Sequence, residues 1–337
     1  MNLHQWRQHL KQFNKSFEKN KDLFQEWTDN TTENLPLFNK GNSIWNTENL
    51  YLNEKEKAMV LVGASPCLSM DVSKLRTMNG DFRIICANSS LKFLLRHEVK
   101  PHYVICLDSD RLDIPQHLDC DSKDITLLAS SVVCSEALNN WKGPIYFMPY
   151  YSIDPKLRSK VRAKLGKKVK CGGNSITAAL ALATVIWGAK TVIFVANEFC
   201  FDDRYYADKK AAKQEKISMV YPCIDVRGKN RWTLPALYIY NVWTEKICTD
   251  LTPPGYFIDT SFGLLGKDTD AIHLMELSEA IKKVKWAFSI KNKFKKAKTD
   301  KEKVKIVEGI IPKHDQSEVY RYNVQEQRPE LLRLARS

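Results

Sequence analysis

The sequence predicts an α/β protein built on a doubly wound, mostly parallel sheet, and two observations lead to this prediction. First, short runs that are apolar throughout alternate with helical segments along much of the chain. Strands that are covered on both faces have such continuous apolar runs, and they pair in parallel when helices connect them. Second, small or polar residues follow one run after another, as expected where strands end on the ligand-binding side of a parallel sheet.

The composition indicates a globular protein without a membrane span. The 337 residues are 44% hydrophobic and 27% charged. No apolar run approaches the roughly 18 residues that a spanning helix needs. The first 30 residues lack the apolar segment of a signal peptide, and the nine cysteines form no C-x-x-C pair. We therefore expect reduced thiols, no zinc site and a cytoplasmic location.

Residues 1–56 are predicted to form an N-terminal helical extension. Apolar side chains recur at helical spacing from Trp6 to Trp27, which indicates one amphipathic helix. The segment from Asn30 to Pro36 is expected to break this helix, and residues 41–56 are expected to form a polar connector.

Residues 57–290 are predicted to form a Rossmann-like core. Strands are expected at 58–63, 82–87, 103–108 and 191–196, with two more at 125–130 and 145–148. Helices are expected at 90–97, 232–249 and 268–288, and a polar, tyrosine-rich lid is expected at 201–216. Polar groups that follow the strands are predicted to share one cleft with Gly173: Gly63, Asn88, Asp108 and Glu198.

A glycine pair, Gly172 and Gly173, precedes Asn174, Ser175 and an alanine-rich helix. Glycines let the backbone pass close to a ligand, and asparagine or serine can cap the helix. The free N–H groups at such a helix start suit a phosphate or a carboxylate. A plain helix start with tight packing is the alternative, and the second small-residue loop at 63–65 supports the phosphate site.

Two aspartates, Asp108 and Asp110, stand two residues apart at a predicted strand end. Carboxylates in this arrangement can hold Mg²⁺ while phosphate oxygens complete its coordination. Solvated loop aspartates are the alternative. Asp108 and Glu198 are the predicted catalytic residues.

Residues 291–337 are predicted to form a basic helical tail. Eleven lysines lie between Lys282 and Lys305 against only Asp300 and Glu302, so this segment carries much of the net charge of +13. A solvated helix is one interpretation, and a surface for an acidic partner or nucleic acid is the other.

Six motifs in a fixed order resemble the motility accessory factor (Maf) and MptE-like family. They span about residues 58–266 and comprise 62–68, 86–95, 100–108, 172–175, 195–198 and 260–263. The resemblance implies that the chain binds a nucleotide through Gly63, Ser65, Pro66, Asn88, Ser89, Gly172, Gly173, Asn174, Ser175 and Thr260. Departures from the family pattern include Ala196 and Glu198, which stand where the family has G-x-D.

The resemblance also implies a function, because the family includes flagellin glycosyltransferases related to bacterial sialyltransferases and a 6-hydroxymethylpterin diphosphokinase. The first expectation is a transferase that moves a sugar from a nucleotide donor to a protein or glycan acceptor. Two alternatives stay open. One is a Mg²⁺-dependent diphosphokinase that uses ATP, and the other is a non-catalytic binding or structural protein that retains the fold.

Overall fold

The fold is seen in a computed structural model that describes residues 21–47, 57–78, 80–150, 154–204, 206–207, 220–252, 255–299 and 301–303. Contacts divide the chain into two compact units, Met1–Leu277 and Ser278–Ser337. The predicted domain boundaries after residues 56 and 290 stay predictions.

The described strands form one large sheet and one hairpin. The strands of the sheet are β1 Ala58–Val62, β2 Phe82–Ala87, β3 Tyr103–Cys106, β4 Thr126–Ser130, β5 Ile145–Met148, β6 Thr191–Val195, β9 Tyr256–Asp259 and β10 Ile272–Leu274. The hairpin pairs β7 Tyr221–Ile224 with β8 Asn230–Thr233 in antiparallel register.

The described α-helices precede, separate and follow these strands. They are α1 Lys21–Asn34, α2 Leu68–Leu75, α3 Asn88–Arg96, α4 Asp113–Leu118, α5 Ser135–Asn140, α6 Pro155–Leu165, α7 Ser175–Ala181, α8 Pro235–Asp250 and α9 Leu277–Lys296. A π-helical turn, Leu182–Ile186, continues α7. Short 3₁₀ helices cover Leu35–Leu37, Lys40–Asn42 and Ile44–Asn46.

The sheet has the strand order β10-β9-β6-β1-β2-β3-β4-β5, and every pairing in it is parallel. The chain therefore builds outward from β1 to β5, crosses back, and continues from β6 on the other side of β1. This arrangement confirms the predicted doubly wound, parallel α/β fold and its six predicted strand positions. The reversal of strand order lies between β1 and β6.

The core lies on both faces of the central strands. Every residue of β1 is buried, and successive strand residues point to opposite faces. Helix α7 contacts β1, β2 and β3. Its Ala178, Ala179 and Ala181 are buried, and such small side chains allow a helix to lie close to a sheet.

Two predicted helices differ from the structure. In the segment 232–249, the first two residues belong to β8, and the helix starts at Pro235. Proline suits the first helical turn because its ring fixes φ and its missing N–H is not needed there. Residues 268–288 include the short edge strand β10 before α9 begins at Leu277. β10 has only three residues, and so short a segment shows too little hydrophobic periodicity for the sequence to distinguish a strand from a helix.

Helix α1 ends at Asn34, within the segment from Asn30 to Pro36 that was expected to break it, so Asn30 and Asn34 still belong to the helix. The part of the predicted N-terminal helix before Lys21 lies outside the described residues, as do most of the predicted lid and residues 304–337 of the tail.

The unit that begins at Ser278 contains most of α9. Its last turn carries Lys293, Lys295 and Lys296. None of the helices in the described ranges is long and apolar enough to cross a membrane.

Candidate functional site

The strand register brings the predicted loops together. Val62 pairs with Cys86 of β2 and with Val195 of β6, and Ala87 pairs with Ile105 of β3. Parallel neighbours end at the same edge of a sheet, so the residues that follow these strands lie side by side.

A cavity of about 450 Å³ lies at this edge, next to the reversal of strand order. Its lining includes eight of the predicted residues: Gly63, Ser65, Asn88, Ser89, Asp108, Gly173, Asn174 and Ser175. The other predicted residues, Pro66, Asp110, Gly172, Glu198 and Thr260, are outside the lining. The structure therefore supports one shared cleft, and the assigned roles of these residues stay predictions.

Asn88 connects three elements at the polar side of the cavity. It is buried, and its Nδ2 lies 3.2 Å from Nδ1 of His117 at the end of α4. The Ser175 hydroxyl donates to Asn88 Oδ1 over 3.4 Å from the start of α7. These contacts place an amide, a hydroxyl and an imidazole on one wall.

His117 is a cavity residue that the sequence did not identify. Burial lowers its pKa below the ordinary value, so the imidazole is neutral at pH 7. A signal was present in retrospect, because His117 follows the predicted strand-end aspartates by only a few residues.

The two predicted metal ligands have different surroundings. Asp108 lines the cavity, and its Oδ1 accepts the Ser109 N–H at 2.8 Å. Asp110 Oδ1 instead accepts the N–H groups of Leu112 and Asp113 at 2.7 and 2.8 Å, at the start of α4. Among the described residues, no group of three histidine, cysteine or carboxylate side chains is arranged to hold a metal ion. Asp108 could still hold Mg²⁺ together with phosphate oxygens, because Mg²⁺ often takes only one or two protein carboxylates.

Backbone conformation and packing both favour glycine at position 173. Gly173 has φ +109°, and a Cβ there would lie 3.0 Å from the Tyr240 ring. The Asn174 side chain accepts the Thr177 N–H at 2.8 Å, and the Thr177 hydroxyl accepts the Asn174 N–H at 3.1 Å, which is a capping box. This geometry accounts for the loop as a helix start, and a phosphate at Gly172–Ser175 stays a prediction.

Gly63 is required by a close approach of two strands. A Cβ at this position would lie 2.2 Å from the carbonyl oxygen of Ala196. Ala196 itself has φ 56°, a left-handed conformation that glycine adopts without strain. This is the position at which the resemblance implied glycine, and the backbone here has a conformation that suits glycine.

Glu198 is buried away from the lining and is paired with a cation. Its Oε1 lies 2.7 Å from the Arg231 guanidinium on β8. Arg231 also lies 2.8 Å from Asp202 and 3.5 Å from Asp225. This surrounding gives Glu198 a structural partner, and its predicted catalytic role has no support from the cavity lining.

Thr260 also has a structural partner. The hydroxyl of this buried residue donates to the Phe194 carbonyl over 3.0 Å. The contact connects the end of β9 to β6.

Helix α1 supplies a wall of the cavity that the sequence did not predict. Leu23 and Trp27 both line it, and the Trp27 ring packs edge-on against Tyr150 at 5.0 Å between centroids. The Asn30 side-chain N–H groups donate to the carbonyls of Ser109 and Val132 at 3.0 and 2.9 Å. The helix is therefore fixed to the loops that follow β3 and β4.

The lining residues that the structure describes include no lysine and no arginine. The charged side chain among them is Asp108, beside hydroxyl, amide and imidazole groups. An anionic ligand would therefore meet neutral hydrogen-bond donors, or a cation bound with it.

A comparison with models of protein families identifies the family of the chain. The sequence model of the 6-hydroxymethylpterin diphosphokinase MptE-like family matches residues 29–204, which is more than half of the chain. The chain belongs to the MptE-like family. The resemblance inferred from the six motifs is thereby confirmed, and membership supports a transferase-like function, since a diphosphokinase is a transferase by definition.

A solved structure is also similar to this MptE-like chain. It is the Maf glycosyltransferase from Magnetospirillum magneticum AMB-1, with 11% sequence identity and a TM-score of 0.49. The match covers 65% of this chain and 33% of that one, so this chain matches about a third of the length of the glycosyltransferase. The comparison with curated proteins found no similar sequence.

Proposed function

We propose that this MptE-like protein is a transferase that binds a nucleotide-linked donor in the central cavity. The observation that carries the proposal is the position of the cavity, at the carboxyl ends of parallel strands where the strand order reverses between β1 and β6. Open α/β sheets bind their ligands at such reversals, because two neighbouring loops diverge there and leave a crevice.

The polar wall suits the phosphate end of such a donor. Ser65, Ser89 and Ser175 contribute hydroxyls, and Asn88 contributes an amide. These groups can donate hydrogen bonds to phosphate oxygens. Asp108 would hold Mg²⁺ when the metal accompanies the phosphates, and the metal would neutralise part of their charge.

The other wall suits a ring. Trp27, Tyr150 and Tyr240 line it together with Leu23 and Leu237. Aromatic side chains combine a large apolar surface with preferred ring-to-ring geometries. A nucleobase, the apolar face of a sugar or a pterin ring would be compatible with this wall.

One candidate donor is a nucleotide sugar, with a protein or glycan as acceptor, which the resemblance of the six motifs implies. The alternative is transfer of a diphosphate from ATP to a hydroxymethylpterin-like alcohol. Two observations favour the alternative: the family description, and Asp108 as the charged side chain among the described lining residues.

Thermal shift followed by turnover separates these candidates. The panel contains UDP-, GDP- and CMP-linked sugars and ATP, each with Mg²⁺ and with EDTA. Stabilisation by a nucleotide sugar, followed by release of its nucleotide, supports glycosyl transfer. Mg²⁺-dependent release of AMP from ATP in the presence of hydroxymethylpterin supports the alternative.

The same experiment can refute the transferase. Binding without turnover of any donor would indicate a non-catalytic binding protein. If no member of the panel raised the melting temperature, the proposed donor site itself would be wrong.

A further inference from the structure

His117 is the cavity residue whose chemistry the proposed site leaves unused. It stands in the last turn of α4 and is half-buried. Its Nδ1 faces the Asn88 amide at 3.2 Å, and the described residues provide no hydrogen-bond partner for its Nε2. One nitrogen of the ring is therefore occupied by the protein and the other is available.

The neighbours of His117 determine which ring nitrogen carries the proton. The Asn88 amide is oriented with Oδ1 toward the Ser175 hydroxyl and Nδ2 toward His117. An amide nitrogen donates hydrogen bonds and does not accept them, so Nδ1 of His117 must be the acceptor. In a neutral imidazole the proton then resides on Nε2.

The position of the ring follows from the loop before it. Asp110 accepts the N–H groups of Leu112 and Asp113 and so fixes the start of α4. Burial lowers the pKa of His117, which keeps the ring neutral at pH 7. A neutral N–H donor that is already oriented needs little reorganisation when it meets a developing or bound anion.

We propose that His117 binds a phosphate group of the donor by donating its Nε2 hydrogen, and that Asn88 holds the ring in the required tautomer. The inference rests on the proposed function and adds a specific residue to its phosphate end. No covalent step is involved, and the proton stays on Nε2. Because the described lining has no lysine or arginine, the hydrogen bond from His117 would contribute more to phosphate binding than it would beside a cationic side chain.

The test compares ligands with and without phosphate. Isothermal titration calorimetry in Mg²⁺ would measure UDP and ADP against uridine and adenosine on the wild type, His117→Asn and His117→Gln. Asparagine keeps an acceptor near the Nδ1 position and lacks a donor at Nε2, whereas glutamine can place an N–H near Nε2. His97→Asn is the matched control, because His97 packs against Phe93 at a ring-centroid distance of 4.5 Å and is outside the lining.

The expected result is a loss of about tenfold in nucleotide affinity for His117→Asn, with the nucleoside unaffected and His117→Gln close to the wild type. An equal loss for nucleotide and nucleoside would show that His117 is only structural and would overturn the inference. Unchanged nucleotide affinity in His117→Asn would also overturn the inference, but it would not contradict a donor site in the cavity. If the wild type bound neither UDP nor ADP and the donor panel were also negative, the proposed function would fail first.

A second measurement needs no variant. In the wild type labelled with ¹⁵N at histidine, the ring of His117 should show the Nε2–H tautomer, and its Nε2 resonance should move when UDP or ADP is added. An Nδ1–H tautomer, or a resonance that does not move at saturating nucleotide, would contradict the inference.

Discussion

The Glu198 carboxylate and the Arg231 guanidinium lie 2.7 Å apart, with side-chain exposures of only 5% and 10%. Glu198 follows β6, and Arg231 belongs to β8 of the hairpin. Their ion pair therefore fixes the hairpin to the end of a central strand, two residues beyond the cavity-lining Ala196.

Arg231→Met should destabilise the fold strongly. It would leave Glu198 and the buried Asp225 without their cation, and removal of one partner from a buried pair costs about 3–5 kcal/mol. Urea unfolding followed by circular dichroism measures the change. Arg76→Met is the control, because its pair with Glu98 is exposed, and it should cost no more than about 1 kcal/mol. Equal effects of the two substitutions would contradict the structural role of Arg231.

Asp108→Asn and Asp110→Asn form a matched pair that tests the metal prediction. Asp108→Asn should weaken Mg²⁺-dependent nucleotide binding by at least tenfold, because it removes the carboxylate that lines the cavity. Asp110→Asn should leave binding near the wild type, since the asparagine oxygen can still accept the N–H groups at the start of α4. Calorimetry with Mg²⁺ and with EDTA checks both. Equal losses of affinity in the two variants would indicate that both carboxylates bind Mg²⁺. Unchanged affinity in both variants would show that this loop does not bind the metal.

Ala196→Gly should stabilise the protein slightly. An L-residue in the left-handed region is strained by about 1–2 kcal/mol, whereas the extra freedom of glycine in the unfolded chain offsets about 0.4–1 kcal/mol of that gain. The melting temperature is the measurement. Ala129→Gly in β4 is the control and should lower it, because Ala129 is a fully buried strand residue. A lower melting temperature for Ala196→Gly would show that this strain is not relieved by glycine.

Asp259 should make stability depend on pH. Burial raises its pKa to about 7, while the unfolded chain releases the same proton near the ordinary value of about 3.9. Between these values the folded state holds the extra proton, so stability falls as pH rises, by up to about 1.4 kcal/mol per pH unit. The free energy of unfolding is measured at pH 5, 6 and 7 for the wild type and for Asp259→Asn. As pH rises, the wild type should lose stability relative to the variant. A difference between them that does not change with pH would rule out a raised pKa.

The sheet was predictable because each central strand is a short apolar run with a polar end. A buried parallel strand needs that pattern on both faces, so local sequence carries the information. Four of the five residues expected in one cleft, Gly63, Asn88, Asp108 and Gly173, line it for the same reason. Glu198 differs because its partner Arg231 stands on a hairpin 33 residues away, which no local pattern indicates.

The wall formed by α1 was not predictable from local sequence. Asn30 and Asn34 favour caps and turns when considered alone, so they predicted a break. In the fold their amides donate to carbonyls 79 to 102 residues along the chain, and these long-range hydrogen bonds stabilise the helix. His117 was missed for a related reason, because its contact with Asn88 joins residues 29 positions apart along the chain.

Ligand binding by a cavity-filling variant tests the central claim most directly. Ser89 lines the cavity, whereas Ser69 is exposed on α2 and is outside the lining. Calorimetry would compare the wild type, Ser89→Trp and Ser69→Trp with the donor nucleotide that stabilises the wild type most. We predict that Ser89→Trp abolishes binding while Ser69→Trp retains the wild-type affinity, with both variants folded. Wild-type affinity in Ser89→Trp, or no nucleotide binding by the wild type at all, would contradict a donor site in this cavity.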